Sequence, residues 1–407
     1  MANKNLSIIL IFLLILATFF FTPGLTQTLS SPQSDHAIEK SFSYKNIAPK
    51  LIWEIDGIGN GYSSPTINKD KIFITGEIDS MGYLFASDLN GKLIWKKQYG
   101  QEWTRQFGGT RAAPTIKDDL VYICSGLGKI SCFDTTKGKL LWTVDMIDDL
   151  GGKNIVYGYS MNILIKDELL YCFPGGPENN VVALDKISGK MIWSSKGIGE
   201  QAGYGSPIIV SLPLRHVLII FSEYSLLGFD AISGEMLWTH SLDEIGELPC
   251  NTPIFDQGHI YYVAGPRNGA VKLKLSDDGI QISEIWRNPN FDTFFGGFVK
   301  VDNYLYGANE HHKNLSSINI NTGKINGTLK VRSGSITASD GLLIYYNDSG
   351  SINIIEPNEG NPELIESFKI EQGTGEHFTH PIVHGNNLFI RHGDTLLAYK
   401  IFADTIE

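Results

Sequence analysis

The sequence predicts an all-β chain folded as one eight-bladed β-propeller, each blade a four-stranded antiparallel sheet. Three observations predict it. A Trp returns at near-constant spacing, at Trp53, Trp95, Trp142, Trp193, Trp238 and Trp286, and four of these close almost the same phrase: ASDLNGKLIW (86–95), CFDTTKGKLLW (132–142), ALDKISGKMIW (183–193) and GFDAISGEMLW (228–238). Self-similarity at a period of roughly 40–50 residues marks a repeat array. Each repeat divides into four short apolar runs separated by turn residues. Finally, the last repeat stops one strand short, while the first Trp has no repeat in front of it.

Residues 112–142 show one repeat. APTI (113–116) is a short apolar strand, LVYICS (120–125) a second and KISCF (129–133) a third, and the run 138–142 leads into a fourth. Asp118-Asp119, Gly126-Leu127-Gly128 and Lys137-Gly138 supply the turns. Short strands joined by tight turns read as an antiparallel meander. One such sheet cannot bury both faces alone, and copies packed face to face around an axis can.

The phrase has its own physical logic. Its glycine (Gly91, Gly138, Gly189, Gly234) suits the positive φ of a tight turn between third and fourth strands. The Trp follows on the outer strand, where it packs against a neighbouring blade beside a small residue: Ala86, Cys132, Ala183 or Gly228. Losing a buried Trp costs about 3–5 kcal/mol. A ligand stacked at every repeat is the functional alternative. Later repeats decay: NINTGK (319–324) keeps the turn with Gly327 where Trp is expected, and 351–369 is weaker, with Phe368 near the aromatic position. The last repeat ends with TLLAYKI (395–401), and Leu51–Glu54 is the obvious donor of its missing strand. Pairing the two chain ends closes the ring and protects strand edges. No Trp is followed by Asp and the Gly-Gly pairs are irregular, so WD40 and kelch readings fall away.

The chain ends and charge bound the setting. Lys4, the apolar run Leu6–Phe21 and a polar exit after Pro23-Gly24 resemble a secretory signal. The run is shorter than the roughly 20 residues of a bilayer span. The expected organisation is a signal peptide over 1–26, a linker over 27–49, the propeller over 50–401 and a tail over 402–407. The chain is expected to be exported, periplasmic or otherwise extracytoplasmic, and the alternative is an uncleaved N-terminal anchor. A net charge of -11 without a basic stripe argues against nucleic acid. Cys124 and Cys132 flank a hairpin turn and could face one another, although the small-residue slot at Cys132 favours a buried free thiol. No cysteine forms a CxxC.

The phrase AxDxxTGKxxW resembles the tryptophan-docking motif of pyrroloquinoline quinone (PQQ)-like repeats, and 183–193 matches it with Ser188 for Thr. The resemblance covers about 50–401 and points to the superfamily of quinoprotein alcohol dehydrogenases and BamB-type propellers of outer-membrane assembly. It implies the ring, but one ring hosts many functions. For the dehydrogenases it implies adjacent cysteines, a Ca²⁺ cluster near the axis and a catalytic Asp. Adjacent cysteines are absent, and the chain leaves little room for active-site insertions. A BamB-like lipid-bearing N-terminal Cys is absent too, since the first cysteine is Cys124.

Chemistry is expected where the lead-in segments of the inner strands meet: 61–65, 108–114, 153–159, 202–207, 248–253 and 376–381. Arg111, Lys153, Tyr157, Tyr159, Tyr204, Asn251, His377 and His380 stand there. This basic and aromatic mouth suits an anionic or carbonyl-bearing ligand or a peptide; a silent solvated mouth is the alternative. Trp103 alone lies outside the register, in QEWTRQFGGTR (101–111) with Arg105 and Arg111. It could stack on a planar anion or a partner carboxylate, or simply plug its own loop. His377 and His380, three apart, would point to opposite faces of a strand, which disfavours a metal site. No GxSxG or HExxH occurs. The leading expectation is a monomeric, non-catalytic envelope propeller that binds a protein or small ligand on its loop face. No catalytic residue, cofactor or metal is expected, and the membrane is met only through an uncleaved leader. The alternatives are a dehydrogenase using PQQ and Ca²⁺, and a sugar- or polymer-binding module.

Overall fold

The computed structural model describes residues 49–243 and 249–402. The expected leader, the linker through residue 48 and residues 403–407 of the tail lie outside them. Eight four-stranded antiparallel sheets form the propeller. Blade 1 spans 66–101, blade 2 115–145, blade 3 164–195, blade 4 208–241, blade 5 254–288, blade 6 298–329 and blade 7 334–369. Blade 8 is 382–400, completed by Lys50–Ile55 from the other end of the chain. Among the described residues no helix is long and apolar enough to cross a membrane.

Middle strands read as unbroken apolar runs because both faces of each sheet are covered by neighbours. Leu342–Asn347 is buried at every position. Leu342, Ile344, Ile352 and Ile354 of blade 7 pack on Leu388, Ile390 and Leu397 of blade 8. First strands approach one another around the axis, and fourth strands form the circumference. In blade 2 the strands are Thr115–Lys117, Leu120–Cys124, Lys129–Asp134 and Leu140–Asp145. The first begins after Pro114, which has no N–H to give a ladder.

Every third–fourth strand pair carries a register shift at the same place. In blade 3, Trp193 faces Ala183 and Met191 faces Leu184, so Ile192 is the extra residue of a bulge. A bulge bends its strand and increases local twist. The indole then crosses to the next blade. A Cβ on the phrase glycine of that blade would strike the ring: Gly138 against Trp95, Gly189 against Trp142, Gly234 against Trp193, Gly323 against Trp286. These glycines all hold positive φ. Five indole N–H groups donate to carbonyls of the following blade, at Leu89, Lys186, Ala231, Gly279 and Ile320, over 2.9–3.2 Å. Trp95 Nε1 has no such partner. The phrase Asp closes its turn by accepting backbone N–H groups, as Asp88 does from Asn90 and Lys92 at 2.9 Å.

Two blades depart from the phrase. Gly327 stands in the Trp slot of blade 6, and a Cβ there would meet the Gly360 carbonyl. In blade 7 the register places Glu366, not Phe368, in that slot. Phe368 instead packs on Tyr399, 5.0 Å between ring centroids. The cysteines are all free thiols. Cys132 faces Tyr122 while Cys124 faces Ile130, so the two do not oppose each other.

The seam has a second fastening. Arg391, in the second strand of blade 8, is the largest fully buried side chain. Its guanidinium donates to Ser63 Oγ (2.7 Å), Thr75 O (2.6 Å), Gly59 O (2.6 Å) and Gly393 O (2.8 Å), joining blade 8 to blade 1. Burial lowers it to about 9, so it remains a cation near neutral pH.

Deleting Leu51–Glu54 is expected to abolish the single cooperative unfolding transition in urea, because blade 8 keeps three strands and exposes an edge. A parent-like melt would contradict this closure. Arg391→Met is expected to strand the Gly59 and Gly393 carbonyls, each costing about 1–3 kcal/mol, while Thr75 O keeps its bond from Thr110 Oγ1. A denaturation midpoint unchanged from the parent would show the cation to be dispensable.

Candidate functional site

The lead-in loops of the first strands share a pattern: a ring or cation, a buried small or polar residue, one more residue, then Pro. Tyr62-Ser63-Ser64-Pro65, Arg111-Ala112-Ala113-Pro114, Tyr204-Gly205-Ser206-Pro207 and Phe378-Thr379-His380-Pro381 all follow it. The second residue of each is buried. The first is thereby turned towards the axis.

Aromatic rings converge there. Phe378, leading into blade 8, contacts Tyr62 of blade 1 (5.7 Å between centroids), Phe107 of blade 2 (6.2 Å) and Phe295 of blade 6 (4.7 Å). Phe107 continues to Tyr157 of blade 3 (6.3 Å), and Tyr157 to Tyr204 of blade 4 (6.2 Å). Blades 8 and 2 are not neighbours, nor are 8 and 6. Side chains from such pairs meet only across the mouth of the axis. The result is an aromatic collar drawn from six lead-in loops. The Tyr62 hydroxyl donates to Glu376 (2.8 Å), and burial with that carboxylate raises Tyr62 to about 12. Burial raises Tyr204 to about 12 as well.

Trp103 sits beside the collar and is 2 % exposed. Gly126 and Gly158 lie against its ring, with no room for a Cβ. Its Nε1 donates to Gln106 O at 3.0 Å. The guanidinium carbons of Arg105 and Arg111 lie 5.4 and 5.5 Å from the ring centre. Arg111 also donates to Gly109 O and Gln106 O, which fixes it, and burial lowers its pKa. Beneath them Glu102 accepts from Tyr99 Oη (2.6 Å), Trp103 N (2.8 Å) and Gly126 N (2.6 Å), and burial raises its pKa. Trp103 is thus a buried platform, with Arg105 exposed on top.

The structure brings Trp103, Arg105, Arg111, Tyr157 and Tyr204 into one neighbourhood, with exposed Lys153 two residues from Ile155 at its edge. Tyr159 is buried and its hydroxyl donates to the Lys153 and Pro174 carbonyls. Asn251 is elsewhere and fully used: its amide donates to Val263 O and Thr293 O and accepts from Gly297 N, tying blades 5 and 6. His377 and His380 are not on a strand, since the first strand of blade 8 starts at Ile382. His377 stacks on His392 (3.9 Å between centroids) and accepts from the Tyr346 hydroxyl. Among the described residues no three His, Cys, Asp or Glu side chains are grouped to hold a metal ion. Sequence reasoning missed Tyr62, Phe295, Phe378, Glu102 and Arg391. The residue three places before each strand-opening Pro was the available signal for Tyr62 and Phe378.

The profile of the family described as outer membrane protein assembly factor BamB matches residues 80–329, more than half of the chain. The chain belongs to this family. Among curated proteins this BamB-family chain is 28% identical over 228 residues to the quinoprotein alcohol dehydrogenase PedH of Pseudomonas putida, covering 52% of this chain and 34% of that protein. The BamB-family chain thus spans about a third of that relative's length. Among solved structures it is similar to BamB of Moraxella catarrhalis (TM-score 0.63, 14% identity, 87% of this chain and 100% of that one). It is also similar to the quinohemoprotein alcohol dehydrogenase of Comamonas testosteroni (TM-score 0.64, 11% identity, 88% and 78%). At such identities the two structures speak for the BamB-family ring alone.

Burial beside His392 pushes His377 down to about 4, whereas an unfolded chain takes up that proton near pH 6.5. The unfolded state therefore binds more protons between those values, and stability falls as pH drops from about 6.5 towards 4. His240, His259 and His380 are lowered by burial too and act in the same direction. Urea titrations at several pH values should show this decline, and His377→Gln should make it shallower. An identical slope in the variant would remove His377 from the account.

Proposed function

We propose that this chain is an exported, non-catalytic propeller whose lead-in face binds a protein partner or ligand in the cell envelope, in the manner of an outer-membrane assembly factor. The observation that carries this reading is the aromatic collar. The mouth of the axis is filled by the chain's own rings, and binding groups are displaced to its rim at Arg105, Lys153 and Val156. Exposed rings and cations on rigidly held loops suit recognition of a polypeptide. The family's description in outer-membrane assembly points the same way.

The likeness to PedH favours a second reading, a quinoprotein dehydrogenase of alcohols or sugars. The residues at the mouth fit that cofactor poorly. A quinone held with a hard cation needs converging oxygen ligands, and the collar offers rings, with Arg111 already bonded to two carbonyls.

A photo-crosslinking side chain at position 107 is expected to yield a discrete higher-mass adduct in envelope extract, and the same group at 137, on the turn face, is expected to yield none. Matching patterns at both positions would contradict a specific lead-in face. The full chain supplied with PQQ and Ca²⁺ is expected to leave an electron-accepting dye unreduced by alcohols or sugars. Sustained turnover would establish the second reading instead.

A further inference from the structure

We infer that the cleft beside Trp103 is an anchor for a carboxylate side chain, presented by an extended segment of a partner polypeptide with an aliphatic residue next to it. The inference rests on the scaffold reading above and names the chemistry of its partner.

The cleft encloses about 290 Å³ between the lead-in loops of blades 2, 3 and 4. That is at the small end for a ligand site and suits one or two side chains. Its polar wall is Arg105, held over the Trp103 ring by a cation–π contact. The stack orders the guanidinium without using its donors. Arg105 has no ion pair or hydrogen bond to another described residue. A guanidinium presents a planar fork that a carboxylate meets with two parallel hydrogen bonds. Leu127, Ile155 and Val156 add an aliphatic part to the lining, the last 69% exposed, and Asn154 and Gln201 complete it with neutral amides. Cation and hydrocarbon side by side require a ligand with the same two features.

The described carboxylates nearest the cleft are engaged elsewhere. Glu102 is buried and holds three hydrogen bonds. Glu200 accepts from Ser222 and the Tyr224 N–H, and Glu376 from Tyr62. Arg105 and Lys153 thus have no carboxylate partner among the described residues, on a chain of net charge -11. That locates the attraction for an acidic ligand on this rim. Nucleic acid needs several phosphate contacts and would meet the negative remainder of the surface. A segment pairing Asp or Glu with Leu, Ile or Val satisfies both features.

The test is selection of random dodecapeptides displayed on phage against the full chain. Recovered peptides are then titrated by fluorescence anisotropy against the parent, Arg105→Gln and Val156→Asp. Both positions are exposed loop residues, and unchanged melting temperatures confirm intact folds. The expected result is a consensus of an acidic residue beside an aliphatic one, with affinity reduced at least tenfold by either substitution and by replacing the peptide's acid with its amide. Peptides without an acid, or bound equally by Arg105→Gln, would overturn the carboxylate anchor while leaving a binding face in place. Recovery of no peptide that binds the parent would overturn both.

Discussion

The strand Lys50–Ile55 pairs with Thr395–Lys400 across the whole length of the chain, and the burial of every other sheet depends on that join. A blade has two apolar faces and needs a neighbour on each. In an open arc the terminal blades would leave one face wet and one strand edge unpaired. Closing so long a loop costs only slowly growing entropy, while each face closed removes a full set of side chains from water. Arg391 completes the join from inside blade 8, donating to the Gly59 and Thr75 carbonyls of blade 1 and its lead-in. A guanidinium supplies several fixed donors in one side chain.

Around the rest of the ring the join is local and repeated. The bulge before each outer-strand Trp turns the indole out of its own sheet. The positive-φ glycine of the next blade leaves a flat place to receive it, and a carbonyl beyond that glycine's Asp accepts the indole N–H in most blades. Sequence, backbone and packing thus agree at each interface, which is what makes a repeat specify one structure.

That agreement explains what was legible beforehand. The Trp phrase exposed the ring, its blade number and the donor of the missing strand. In blade 7 Phe368 lies near the docking slot, as the sequence suggests, but Glu366 fills it, because the bulge is invisible in a decayed repeat. Glycines at 108–109 and 202–205 marked the mouth, but not which rings would meet there. Phe107, Phe295 and Phe378 are far apart in sequence and touch only because the ring brings their loops to one point. Asn251 and His377 look like ligand groups and are spent on Val263 and Tyr346 in the strands beside them. Polar residues near a crowded axis have backbone groups to satisfy, and nothing in one sequence tells that use from binding. Arg391 lay in an ordinary-looking strand, and its role depends on four segments that only the closed ring assembles.

The interfaces are not equal links. Six carry an indole latch, and the two without one, after Gly327 and Glu366, stand side by side and lead directly to the seam. A chain of identical rivets shares load evenly around its circumference. This one changes its fastening in a single quarter, where the Tyr306 hydroxyl donates to Pro357 O and accepts from Gly360 N, and Ser317 Oγ donates to Gly360 O, in place of an indole. Polar bonds thus take over from ring packing where the repeat has decayed, and the Trp103 platform stands across the ring, among blades still joined by indoles.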